Sequence, residues 1–371
     1  MKRFNDIDAV KAIGICLIVL SHIFGAMGLG ENAVWRWLAP FMVGLFFVMS
    51  GYLSALAATA KEQRTFAAFR TFAAKKAKRL LVPYAFFSAA ALGIKLVVAH
   101  MIGGTLREQA EPAIREFVTF LGTGTLWFLP ALFFAELLFF WVTRWPRWGR
   151  ALMLLVSIVA AYVALPLLTM LHYSELYEIS VFPWIWGYDY LYVMARSLVA
   201  VGLMLLGSDV IPWIEQYRLK RKREQSQRAG FAVVLIGVAV TVLISGVFFP
   251  DFRSLNFDHH PILLYIDTLA AAILFLELFR LLERRISLEP IAWIGRNSLI
   301  IMCTHNEWLL VPVFRLGLAG VWGMCPAIGV RYYLECGVIL ALILMTECGI
   351  CRFLNRYLPW ALGKSTDRTK S

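Results

Sequence analysis

The chain has 371 residues, of which 60% are hydrophobic and 16% charged; its mean hydropathy is +0.70 and its formal net charge +12. A soluble domain of this size would have too few charges to coat its surface, so the composition excludes one and requires an integral membrane protein. The basicity does not point to nucleic acid, because the Lys and Arg residues gather in loops on alternate sides of apolar spans.

Ten segments are long and apolar enough to cross about 30 Å of hydrocarbon. They lie near 7–29, 38–58, 80–101, 126–143, 150–171, 188–207, 229–249, 262–282, 291–310 and 330–350. None shows the alternation of a barrel strand, so the predicted fold is all-α and polytopic. Bases precede the first span (Lys2, Arg3) and cluster at 61–79, 144–150, 218–228, 284–285 and 352–370. The intervening loops hold few bases and several acids, among them Glu31, Glu108, Glu111, Glu175, Glu178, Asp251 and Asp258. The bias places both termini in the cytoplasm. Lys11 and Asp8 interrupt any signal-peptide core, so the first span reads as uncleaved. The expected organisation is one transmembrane domain over 1–360 and a basic cytoplasmic tail over 361–371.

Several spans carry polar groups that hydrocarbon does not tolerate. In the first, Lys11 and His22 are eleven residues apart, which returns a helix to within roughly 20° of the same azimuth and separates them by about 16 Å. Asp8 is one turn from Lys11 and can pair with it. The face is either a catalytic one or a structural histidine with a snorkelling lysine. In the second span, Ser50-Gly51 serves helix packing or ligand contact. The cluster Lys75-Lys76-x-Lys78-Arg79, ahead of Pro83, fits a polyphosphate grip or plain anchoring at the membrane surface. Trp127 is a belt aromatic or a substrate platform, and Glu136 deeper in the same span must be neutral, paired or wet. The ninth span ends in Thr304-His305-Asn306-Glu307, which brings His305 to the depth of His22. Asp267, Asp189, Arg196 and Glu335 start near that level. The Cys348-x-x-Cys351 pair and His259-His260 are weak metal signals, and no zinc-protease, P-loop, dinucleotide or serine-elbow motif occurs.

Taken together, these motifs resemble the acyltransferase-3 family of membrane acyltransferases over most of the chain. The similarity rests on Lys11 and His22 as base, ten spacers and histidine, with Asp8 and Gly14 beside them. It extends to Phe46-Phe-x-x-Ser50-Gly51-Tyr52, Arg79 with Pro83, Leu126-Trp127-Phe128, and Gly295-x-x-Ser298 running on to His305. Lys11 and Lys76 stand where many members carry arginine, so a point charge replaces a fork at both. The resemblance implies a bacterial cytoplasmic (inner) membrane protein with a ten-helix core. Such a protein takes an acyl group, usually acetyl, from cytoplasmic acetyl-CoA or another acyl-CoA and gives it to a hydroxyl of a sugar or surface-glycan precursor. It implies no metal and no nucleic-acid partner. On this reading Lys11, Lys76 and Arg79, with Ser50 and Gly51, hold the CoA. His22 is the general base, with Asp8, His305 and Glu136 as further catalytic candidates. Trp127, Asn306 and Asp267 are the candidates for the acceptor side. A transporter or flippase is the alternative; the absence of an inverted repeat or paired broken helices in the sequence speaks against it.

Overall fold

The computed structural model describes residues 4–57, 65–172, 182–219 and 223–364. Fourteen α-helices are described: α1 (Asn5–Met27), α2 (Ala33–Leu38), α3 (Gly44–Ala57), α4 (Phe66–Met101), α5 (Leu106–Val118), α6 (Phe128–Val142), α7 (Arg147–His172), α8 (Phe182–Leu219), α9 (Arg223–Ser245), α10 (Pro261–Glu283), α11 (Glu289–Arg296), α12 (Ser298–Thr304), α13 (Leu310–Trp322) and α14 (Val330–Tyr357). Short 3-10 turns at Gly124–Trp127 and Pro359–Leu362 complete the set, and among the described residues the only β pairing is an isolated bridge between Asp251 and Asn256. Eight helical stretches are long and apolar enough to span a membrane, and the protein is an all-α polytopic one. Lys2, Arg3, Lys61, Arg64, Glu175, Glu178 and residues 365–371 of the predicted tail lie outside the described residues.

Two predicted spans take a different form. The second, expected over 38–58, is only the 14 residues of α3, reached through α2 and the turns at 39–43. The ninth, expected over 291–310, is broken at Asn297 into α11 and α12. There the Asn297 amide donates to the Trp293 carbonyl at 2.8 Å, the local bonding by which asparagine competes with a continuous helix. A further helix, α13, follows Leu309, whose φ of 62° turns the chain sharply. The helix α4 has 36 residues, about 54 Å by the helical rise, so its basic first turns extend past a 30 Å hydrocarbon layer.

Helix α1 sits in the middle, in contact with α2, α3, α10, α11, α12, α13 and α14. Its basic end is packed backbone to backbone: Gly295 of α11 lies against the Asp8 carbonyl, where a Cβ would collide. Helices α3 and α8 cross in the same way, Gly51 against the Met204 backbone and Gly207 against that of Val48. Small residues at both sides let the axes approach closely, which is how helices associate where lipid offers no hydrophobic drive. At the basic end Arg280 of α10 gathers its neighbours. It donates to Asp6 of α1 at 2.9 Å, to Glu215 of α8, and to the Tyr52 hydroxyl of α3 at 3.4 Å.

Candidate active site

The two histidines expected at one depth come together, with ring centroids 5.1 Å apart and planes tilted by 53°. His22 projects from the long continuous α1 and is half-buried. His305 follows the last residue of α12 and is fully buried. Its Nδ1 lies 2.6 Å from the Ile301 carbonyl oxygen, which can only accept, so Nδ1 carries the hydrogen. In the neutral ring Nε2 is then a bare acceptor, and it has no hydrogen-bond partner among the described residues. The break at Asn297 and the turn after Thr304 aim this ring. Thr304, next to it, bonds both the Ile300 carbonyl (2.8 Å) and Glu347 of α14 (2.7 Å), which ties α12 to α14.

A cap of aromatic and charged groups covers the end of the bundle where the histidines sit. Arg196 of α8 donates to the carbonyls of Arg253 and, at 3.1 Å, of Leu121. Its guanidinium lies 5.0 Å from the Trp127 ring centre and 4.6 Å from that of Tyr192. Trp127 in turn stacks on Phe252 at 5.7 Å, and Phe252 on Phe47 at 5.4 Å. The loop that carries the Asp251–Asn256 bridge is thereby pinned over the site, with Asp251 and Arg253 in electrostatic reach of His22. Trp127 is only 7% exposed, so it buttresses this loop and presents little open face to an acceptor. Asn306 is half-buried, and its amide approaches Glu307 Oε1 at 3.4 Å. Glu307 Oε1 also accepts from the Thr125 backbone N–H at 3.0 Å, fixing the turn before α6 to the His305 segment.

At the basic end, two of the three candidate phosphate ligands are already neutralised. Lys11 Nζ meets Asp8 at 3.0 Å, and Lys76 Nζ meets Glu136 Oε1 at 2.7 Å. Glu136 is therefore the paired carboxyl that its position demanded, on the basic side of the bundle and in contact with α4 rather than with the histidines. Arg79, one turn along α4 from Lys76, is exposed. Gly51 is committed to the Met204 backbone, which leaves Ser50, half-buried beside it, as the polar group of that pair. Asp267 is fully buried on α10 with both carboxylate oxygens lacking a hydrogen-bond partner, and its neighbour Thr268 packs on the Pro40 carbonyl and Gly44.

Sequence reasoning passed over Arg280 and Glu347 and gave Glu307 no role; their partners lie far away in the chain. Arg253 escaped it too; the one signal was an arginine inside an otherwise acidic outer loop. Among the described residues no group of three or more His, Cys, Asp or Glu side chains forms a metal-binding cluster. A family model described as an acyltransferase domain matches residues 4–346. No curated protein and no solved structure matches the chain.

Proposed function

The chain belongs to the acyltransferase-3 family, and from that premise we propose that it is a membrane O-acyltransferase carrying an acyl group, acetyl in the first instance, from cytoplasmic acyl-CoA to a hydroxyl of a sugar or surface-glycan precursor. Arg79 holds the CoA phosphates at the basic end, with Lys11 and Lys76 lining the approach. The pantetheine arm follows the α1 face from Lys11 towards His22, a run of about 16 Å by the helical rise. The single observation that carries the reading is the histidine pair closing the face that Lys11 opens.

The chemistry follows from the tautomer. The lone pair left open on His305 Nε2 would accept the N–H of His22 once the rings, 5.1 Å apart between centres, close on each other, and the other His22 nitrogen then offers its lone pair to the acceptor hydroxyl. As the hydroxyl oxygen bonds to the thioester carbonyl carbon, its proton passes to His22. The tetrahedral oxyanion then collapses, the C–S bond breaks, and His22 returns the proton to the departing sulfur. Ester and free CoA are the products, with no net proton released. Asn306, adjacent to His305 and half-open, is the donor placed to steady the oxyanion or the acceptor.

Inverted membrane vesicles supplied with labelled acetyl-CoA test the assignment. The expected result is release of free CoA with label entering a glycan. His22→Ala should lower the rate by about 10²-fold or more, the usual worth of a positioned base. An unchanged rate in that variant removes His22 from the role; movement of unlabelled glycan without CoA release would favour a transporter.

A further inference from the structure

The family match ends at residue 346, yet the chain beyond it returns to the basic end of the bundle. After α14, the turn Pro359–Leu362 buries Ala361 and Leu362 and sets Trp360 edge-on against Phe86 of α4, 5.6 Å between ring centres. Gly363 takes a φ of 62°, and its Cα rests on the Lys78 carbonyl and the Arg79 Cα, where no Cβ fits. The next residue, Lys364, is thereby held close to Arg79. Its ammonium donates to Asn355 Oδ1, and the Asn355 amide reaches Asn297 Oδ1 at 2.8 Å and the Cys351 carbonyl at 2.7 Å. The chain of bonds ends two residues from Gly295, which lies against Asp8, one turn below Lys11.

The turn, anchored by buried Ala361 and Leu362, thus brings Lys364 into electrostatic reach of Arg79, and both residues are exposed. Lys11 and Lys76 each have a carboxylate; among the described residues neither Arg79 nor Lys364 forms an ion pair with one. Burial first, and the Arg79 charge after it, hold the Lys364 ammonium below the usual lysine range. An arrangement that pays for like-charge contact and leaves one guanidinium fork and two ammonium hydrogens unused is suited to an anion with several oxygens.

We propose that Lys364 and Arg79 together form the phosphate-binding pair of the donor site, so that the C-terminal turn is part of that site and its ligand is the 3′,5′-ADP portion of CoA. This rests on the acyl-CoA reading above. Full-length protein in lipid nanodiscs, titrated with CoA and separately with 3′,5′-ADP, tests it in three forms: wild type, Lys364→Gln and Lys364→Arg. The expected result is tenfold or greater weakening of both ligands in Lys364→Gln, near-complete recovery in Lys364→Arg, and unchanged thermal melting of all three. Wild-type affinity in Lys364→Gln overturns the inference and leaves the acyl-CoA reading standing. Lower melting in Lys364→Gln with no recovery in Lys364→Arg also overturns it, since the turn would then be structural. Wild type that binds neither ligand overturns both.

Discussion

Replacing Lys76 with methionine isolates what the Lys76–Glu136 pair contributes. Glu136 is 4% exposed at its side chain, and its Oε2 has no hydrogen-bond partner among the described residues. The ammonium 2.7 Å from Oε1 is therefore its main compensation. Removing one partner of a buried pair costs about 3–5 kcal/mol, and Lys76 is 25% exposed, which sets the expectation for Lys76→Met near the lower end, about 3 kcal/mol. Glu136→Gln alone should cost less, about 1 kcal/mol, because the lysine can swing its head to water. The double variant removes both charges and should lie within about 1 kcal/mol of wild type. The coupling in the cycle is then about 3–5 kcal/mol, at or above the upper end of what contacting residues show. Equilibrium unfolding in mixed detergent micelles measures all four corners. Simple additivity, or a Lys76→Met cost under about 1 kcal/mol, would refute the picture of a dry carboxylate held by a single cation.

Arg280→Gln should destabilise the fold by about 3–5 kcal/mol in the same assay, since Asp6 and Glu215 lose the guanidinium that joins α1, α8 and α10. Arg280→Lys should recover only part, because an ammonium cannot span both carboxylates as a fork does; full recovery would reduce the hub to a point charge. Arg196→Gln should loosen the loop at 250–258, whose anchor is a pair of charge-assisted bonds worth about 1.5–3 kcal/mol each. Trypsin should then cut after the exposed Arg253 faster than in wild type, and equal cutting rates would show that the loop is held by its aromatic stack alone.

The sequence showed most clearly what a single helix can show. Lys11 and His22 share a face because both belong to α1, and the depth of His305 followed from the rise along one segment. Glu136 could be marked as needing a partner, although the partner on α4 was outside the reach of that reasoning. Arg280 passed unnoticed because its three hydrogen-bond partners are 274, 65 and 228 residues away; only Glu277, at 3.6 Å, is on its own helix. The ninth span read as continuous, since a seven-residue apolar helix after an Asn-Ser break looks in sequence like the second half of one span. Gly51 fitted two roles until the Met204 backbone was seen against it. The stretch from 361 reads as a basic cytoplasmic tail because nothing in its composition reveals that Gly363 has a carbonyl to rest on.

The glycine crossings carry a consequence for genetics. At Gly51, Gly207 and Gly295 the opposing atoms are main-chain ones, so no second-site change of side chain can make room for a larger residue. A random-mutagenesis screen scored by acylation would return all three as intolerant and without intragenic suppressors, a profile easily mistaken for that of the reacting groups. Expression level separates the two: variants at the crossings should vanish from the membrane, whereas those at His22 should remain there, silent.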